Sequence, residues 1–431
     1  MKRSFLILGA LLLATNSYGA EPGATQALVL KAAHIFDARS GRLASGGTIV
    51  VQGERIVSVG STAVPANARV IDLGDATLLP GFIDAHVHLD GELQKDYYRG
   101  FHEEILRFPV EQSHYAALYA RRTLEAGFTT VRNVGASDFV DIGLRNAINA
   151  KIVVGPRMMT AAHSIGSTGG HCDSAPFPPE LIKPLTPIEG VCNGPEECRA
   201  AVRYQMKWGA DVIKICASGG VLSEADPVDV PQLTPAELSA IMSEAHAWKR
   251  KVAAHSHGDV AARLAVEAGV DSIEHGSFLT EQTLQLMKQK GVYLVPTRLA
   301  VYWVGKEAEN FPPAIAEKAR AANRAHGDMM KAALRIGVPI AFGTDSGVSP
   351  HGMNAREFSL LVEVGMTPGA ALAAATREAA KLLGIDAEVG TLESGKFADI
   401  VAVRGDVLAN IGSTEQPVFV MKHGQIVVGA R

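Results

Sequence analysis

Two kinds of hydrophobic pattern share this chain. From Ala27 to Leu79 short apolar runs are cut by turn residues: Ala27–Ala32, Gly47–Gln52 and Arg55–Gly60, with Gly53-Glu54 at a tight turn. Runs of this length bounded by glycine and polar residues predict strands. The tail repeats the character in Asp399–Val403, Pro417–Met421 and Gln425–Val428. Two β-rich ends around a different middle predict one small β-sandwich domain built from both termini, residues 21–80 and 388–431.

Between them, apolar strand-like runs alternate with amphipathic helical stretches, the pattern of a parallel α/β fold. Strands are expected near Gly81–His86, Thr129–Asn133, Arg157–Ala162, Asp211–Cys216, Lys251–His255, Asp271–His275, Val292–Thr297 and Pro339–Gly343. Helices are expected between them, among them Ser113–Ala126, Pro235–Trp248, Val260–Ala268 and Pro312–Ile336. Repeated strand–helix units over residues 81–387 predict a (β/α)8 TIM barrel. A doubly wound open sheet is the alternative, but no glycine-rich phosphate loop follows the first strand.

Composition narrows the function classes. The 431 residues, 47% hydrophobic and 20% charged, suit a globular enzyme with a sizeable core. A net charge of −4 without a basic run leaves no footprint for nucleic acid or an anionic membrane. Lys2 and Arg3, then the apolar stretch Phe5–Ala14, read as an export signal over residues 1–20, cleaved near Gly19 or Ala20. That stretch is too short for a membrane anchor, which needs roughly 20 apolar residues. The mature chain is therefore expected in the periplasm or outside the cell. Cys192 and Cys198 bracket a short turn that a disulfide could close, with Cys172 able to compete for either. Cys216, in an apolar run, is expected as a buried free thiol.

Candidate chemistry gathers at the ends of the expected strands, where barrel enzymes place their sites. His86 and His88, one residue apart in extended chain, project to the same side and can reach one ion. Lys214 interrupts the apolar strand Asp211–Cys216; it either snorkels at the strand end or is buried and neutralised. Carboxylation by CO2 would make it an anion able to bridge two cations. His255 and His257 follow the fifth strand; His255 ends the apolar run and is taken as the ligand, with His257 beside the site or on the surface. His275 closes the sixth strand. Asp345 follows the eighth, as a cap or as the base for a metal-bound water.

These residues stand in Pro80-Gly-Phe-Ile-Asp-Ala-His-Val-His-Leu-Asp90, His163-Ser-Ile-Gly-Ser-Thr-Gly-Gly-His171, Lys214-Ile-Cys-Ala-Ser-Gly-Gly-Val221, Ile273-Glu-His-Gly276 and Gly390-Thr-Leu-Glu-Ser-Gly-Lys-Phe-Ala-Asp-Ile-Val401. So placed, they resemble the amidohydrolase superfamily from about Ala27 onward, and within it the binuclear dipeptidase group. That group includes Xaa-Pro dipeptidase-like and Xaa-Arg/Lys carboxypeptidase-like enzymes and a few relatives that hydrolyse ochratoxin A. The resemblance implies a distorted barrel joined to a β-sandwich and two divalent ions, by default zinc. His86, His88 and Asp345 would hold one ion and His255 and His275 the other, with N6-carboxylysine at Lys214 between them.

It also implies a homo-oligomer and a small amide, a dipeptide or N-acyl amino acid, as substrate. A free α-carboxylate on that substrate would need partners: His163 and His171 on the glycine-rich loop, and Arg298 and Tyr302 after the seventh strand, are the candidates. His163 is also the candidate oxyanion contact. The competing readings are a cyclic-amide hydrolase or lactonase of the same superfamily, and a non-catalytic binding module on the same fold. The latter is disfavoured because no ligand position is lost.

Overall fold

The computed structural model describes residues 26–429 apart from 61–63, 174–177, 179, 181–182 and 225. The expected export signal at residues 1–20 lies outside the described residues.

The N-terminal stretch forms β1 (Leu28–Asp37), β2 (Arg42–Gln52), β3 (Arg55–Gly60), β4 (Arg69–Asp72) and β5 (Ala76–Pro80). The middle contributes β6 (Phe82–Val87), β7 (Phe128–Asn133), β8 (Arg157–Thr160), β9 (Val212–Cys216), β10 (Lys251–Ser256), β11 (Ser272–His275) and β12 (Tyr293–Val295). The tail adds β13 (Ile400–Arg404), β14 (Phe419–Lys422) and β15 (Gln425–Val428).

Both ends of the chain enter one sheet of order β15-β14-β13-β5-β1-β2-β3, with β4 beside β1. Strand β5 joins the halves, parallel to β1 and antiparallel to β13. A further bridge from Arg55, on the edge strand β3, to Phe397, just before β13, curls that edge back onto the interior of the sheet. The domain is thus one continuous sheet around a core that includes Leu30, Ile49, Leu78, Ile400 and Phe419.

The barrel strands lie parallel in two ladders, β6-β7-β8 and β12-β11-β10-β9. One seam closes through Asp211 N to Thr160 O (2.7 Å) and an Ile165–Ile215 bridge. The other closes through the segment 339–346. The eighth strand expected there is not a regular ladder strand. It fills the slot by single contacts: Leu294 N to Pro339 O (2.8 Å), Ala85 N to Phe342 O (2.9 Å) and Asp345 N to His86 O (2.7 Å). A buried carboxylate replaces the missing ladder, since Asp84 accepts from Thr344 Oγ1 (2.6 Å) and Asn354 Nδ2 (2.8 Å).

The helices expected from periodicity form over Pro109–Glu125, Pro235–Ala247, Asp259–Ala268 and Pro313–Ile336. The second begins with a reciprocal cap: the Thr234 side chain accepts from Glu237 N while the Glu237 side chain accepts from Thr234 N. At the mouth, Ala162, His275, Thr297 and Asp345 adopt positive φ of 60°, 68°, 47° and 57°. Non-glycine residues rarely adopt this conformation, and here it turns the chain sharply where strands end.

Candidate metal centre

His86, Lys214, His255 and His275 lie on β6, β9, β10 and β11; His88 follows β6 and Asp345 ends the eighth segment. All six line one cavity of about 680 Å³ at the C-terminal mouth of the barrel. Asp345 Oδ1 lies 3.4 Å from His86 Nε2 and 3.5 Å from His88 Nε2. Lys214 Nζ is 3.4 Å from His86 Nε2. Potential ligand atoms converge in two groups, His86/His275/Asp345 and His255/His257/His275.

Each imidazole has one nitrogen engaged, which leaves the other for an ion. Glu274 takes His86 Nδ1 (2.7 Å), the Gly135 carbonyl takes His88 Nδ1 (2.9 Å), and Thr297 Oγ1 pairs with His275 Nδ1 (2.7 Å). The Gly219 carbonyl lies 3.2 Å from His255 Nε2, leaving that ring its Nδ1. Partners of this kind fix ring orientation in metal sites. Burial pushes the His88 imidazole down to about 4 and holds those of His255 and His275 well below the usual range. Neutral imidazoles, a carboxylate and a lysine form a donor set that fits divalent cations of the zinc type.

The floor beneath is a buried ion pair that sequence reasoning missed. Arg132, on β7, donates to Glu274 Oε1 (2.8 Å), Ser272 Oγ (3.1 Å) and the Ala85 carbonyl (2.6 Å). Burial alone would raise the Glu274 carboxyl, but Arg132 and the His86 bond outweigh it and hold it down at about 2. The available sequence sign was a glutamate and an arginine inside short strands that the barrel buries completely, Ser272–His275 and Phe128–Asn133. Arg132→Met strands a buried carboxylate and is expected to destabilise the fold by about 3–5 kcal/mol. Urea denaturation measures this, and a loss below about 1 kcal/mol would show the pair to be structurally neutral.

The model of the amidohydrolase family matches residues 77–427. The chain belongs to the amidohydrolase family. It is 33% identical over 370 residues to an ochratoxinase of Aspergillus niger, covering 82% of this chain and 76% of that one. The crystal structure of an Xaa-Pro dipeptidase with methionine bound in its active site superposes with a TM-score of 0.90. It shares 39% identity and covers 94% of this chain and 100% of its own. A prolidase complexed with N-methylphosphonate-L-proline superposes at 0.85, with 30% identity over 94% and 100% of the two chains. The chain is therefore a hydrolytic enzyme.

Several sequence expectations change around the amidohydrolase cavity. His257 is not on the surface: it is 4% exposed, stacks on His275 at 4.8 Å and pairs its Nδ1 with Ser277 Oγ at 2.8 Å. The glycine after it turns the main chain, yet the side chain stays in the cluster. His163 lines the cavity with its Nδ1 taken by Gln205 (3.1 Å), a buried glutamine the sequence did not flag. His171 lines it too, stacked on His255 at 4.2 Å.

Arg298 and Tyr302 are not among the cavity-lining residues. The helix Arg298–Lys306 turns Ala300, Val301 and Val304 to the cavity, and residues 298 and 302 fall on its opposite side. The Arg298 guanidinium instead donates to Asn323 Oδ1 (2.7 Å), and its backbone N–H to Glu357 (2.9 Å). Cys216 is not a free thiol: it is bonded to Cys172, and Cys192 to Cys198.

Proposed function

We propose that this amidohydrolase is a binuclear metal enzyme that cleaves the amide of a dipeptide or N-acyl amino acid, ochratoxin A included. The observation that carries the proposal is the convergence of His86, His88, Lys214, His255, His275 and Asp345 on one cavity. In this reading His86, His88 and Asp345 hold one ion. His255 and His275 hold the second, with His257 offering Nε2 beside them. Two such cations would supply acidified water and a polarised carbonyl.

The chain's own residues do the rest. Burial lowers the Lys214 amine to about 8, against the opposing pull of Glu274 and Asp345. A free amine near neutral pH adds CO2: the nitrogen–carbon bond forms, a proton leaves, and a carbamate anion results. Burial would raise the Asp345 carboxyl, but His86, His88 and Lys214 hold it well below the usual range, so it stays ionised. Asp345 then accepts the proton of the attacking water and returns it to the leaving amine. His163, with Nδ1 occupied, has Nε2 to offer the substrate. Val221, Leu222, Val301, Val304 and Val348 make an apolar wall for a side chain or acyl group. The likeness to an ochratoxinase, an Xaa-Pro dipeptidase and a prolidase supports an amide beside an amino acid as the bond.

Two disulfides in one chain also suit an oxidising compartment, in line with export. The deciding experiment is a screen of dipeptides, N-acyl amino acids and ochratoxin A with zinc-loaded protein. Turnover of one class with about two metal equivalents bound is the expected result. Opening of imidazolone or hydantoin rings alone would overturn the substrate assignment. That outcome is a real competitor, because an imidazolonepropionase of Symbiobacterium thermophilum is 26% identical over 381 residues.

Thr297 gives a second test. Its hydroxyl meets His275 Nδ1 at 2.7 Å from a residue held at a φ of 47°. Thr297→Val is expected to weaken metal affinity about 10–100-fold, read by competition with a chromogenic chelator. Unchanged affinity would remove Thr297 from the support of His275.

A further inference from the structure

The loop after β8 carries His163, His171 and Cys172 into the cavity wall. It leaves the barrel under tight control. Ile165 bridges Ile215, with Ile165 N to Lys214 O at 2.8 Å and Cys216 N to Ile165 O at 2.9 Å, and Gly166 bridges Val191. Residues 167–173 then fold into local turns, Gly170 N to Ser167 O and Asp173 N to Gly170 O. Beyond those turns the segment is held by Asn193, which donates Nδ2 to Thr168 Oγ1 (2.9 Å) and accepts from Thr168 N (3.4 Å), by His171 N to Gln232 Oε1 (2.8 Å), by the His171–Ser223 contact (3.4 Å) and by the bond from Cys172 to Cys216. The last is the covalent tie, and it spans 44 residues of sequence.

Its position is specific. Cys216 ends β9 two residues after Lys214, and residues two apart on a strand share a face. Both line the cavity, as does Cys172. The neighbour of Cys172, His171, lies flat on His255 with rings 26° apart. The ring also packs on the backbone of Gly220, where a Cβ would collide with it. At Gly166 a Cβ would stand 2.8 Å from Cys172 Cβ, so any side chain there would displace the bond. His171 is thus packed against both a candidate ligand and a bare backbone, one residue from a covalent anchor two residues along β9 from Lys214.

We propose that the Cys172–Cys216 disulfide is a positioning device of this site, holding His171 and its loop against His255 so that substrate affinity depends on the bond. The inference rests on the cavity being the hydrolytic site. Cutting the bond frees the segment 167–173 from β9, and His171 leaves the wall against which substrate packs. The expected signature is a raised KM with a smaller change in kcat, the mark of lost uniform binding. The same bond makes the enzyme sensitive to reducing agents.

The two disulfides can be separated chemically. Cys172–Cys216 faces the cavity, whereas Cys192 and Cys198 are fully buried in the core. Under native conditions a tertiary phosphine reduces the first. The phosphorus gives two electrons to the S–S bond, two thiols form with protons from water, and the phosphine leaves as its oxide with the water oxygen. Alkylation should count two new thiols, mapped to Cys172 and Cys216, with metal content unchanged.

KM for an amide that the untreated enzyme hydrolyses is expected to rise about 10–100-fold, by the scale of misplaced binding groups. The variants Cys172→Ser, Cys216→Ser and their double are expected to match one another and the reduced enzyme. Cys198→Ser, which cuts the other bond, should leave KM within about twofold of the parent. Hydrogen exchange over residues 166–173 answers the same question without substrate, with faster exchange expected at His171 N on reduction. Unchanged KM and exchange with both thiols free would overturn the inference, and so would an equal rise in KM from Cys198→Ser. If the untreated enzyme cleaves no amide, the proposed function fails on its own, and the exchange experiment still decides the positioning role.

Discussion

Asp345→Asn is expected to fold, to bind metal and to lose turnover by about a thousandfold or more, the scale of a positioned proton-transfer group. The substitution keeps shape and removes only the charge and the basic oxygen. The backbone of the segment stays latched, because Asp345 N donates to His86 O and its neighbours Thr344 and Ser346 bond to each other. The carboxylate itself meets His86 and His88 at 3.4 and 3.5 Å, so an amide there still offers an oxygen to that side of the site. Circular dichroism and melting temperature should match the parent, while kcat collapses at saturating substrate. A variant that kept kcat within about tenfold would end the assignment of Asp345 as the proton carrier.

Lys214→Ala is expected to be as damaging by a different route. If carboxylated Lys214 bridges two ions, its removal should lower metal content from about two equivalents per chain toward one, with kcat falling about a thousandfold. The space left by a buried side chain can admit a small anion, so formate or acetate should restore part of both. Lys214→Arg should not respond, because a guanidinium keeps its proton and cannot form a carbamate. In the parent enzyme, loading of metal with bicarbonate should speed up as pH rises through about 8, where burial places the Lys214 amine. The sign follows from chemistry: only the deprotonated amine attacks CO2. Full activity in Lys214→Ala without added anion would overturn the bridging role.

Much of the frame was legible because each element carries its own local sign. Seven of the expected barrel strands are regular strands, and the four named helices begin and end within a few residues of the periodic pattern. Apolar runs that end in histidine or lead into aspartate placed most candidate ligands at strand ends, with Lys214 inside one such run, and a barrel turns such ends toward one mouth. What failed did so for identifiable reasons. The eighth strand reads as apolar and extended, but whether a segment forms a ladder depends on neighbours, and Asp84 supplies the bonds instead. Arg298 follows a strand in sequence, yet the phase of its helix turns it toward Asn323. The Arg132–Glu274 pair left no local sign, since the two residues lie 142 positions apart.

The sequence by itself determined the order of strands and helices, the union of both termini in one β domain, and a set of candidate metal-binding residues. These follow from periodicity and residue chemistry, which act over a few positions. The tertiary structure alone decided which nitrogen of each cluster histidine is engaged by its neighbours, that His257 joins the cluster, and that Cys216 is bonded to Cys172 rather than free. Those outcomes depend on side chains brought together from distant strands, where a rotation of one helix or one turn at positive φ changes the partner.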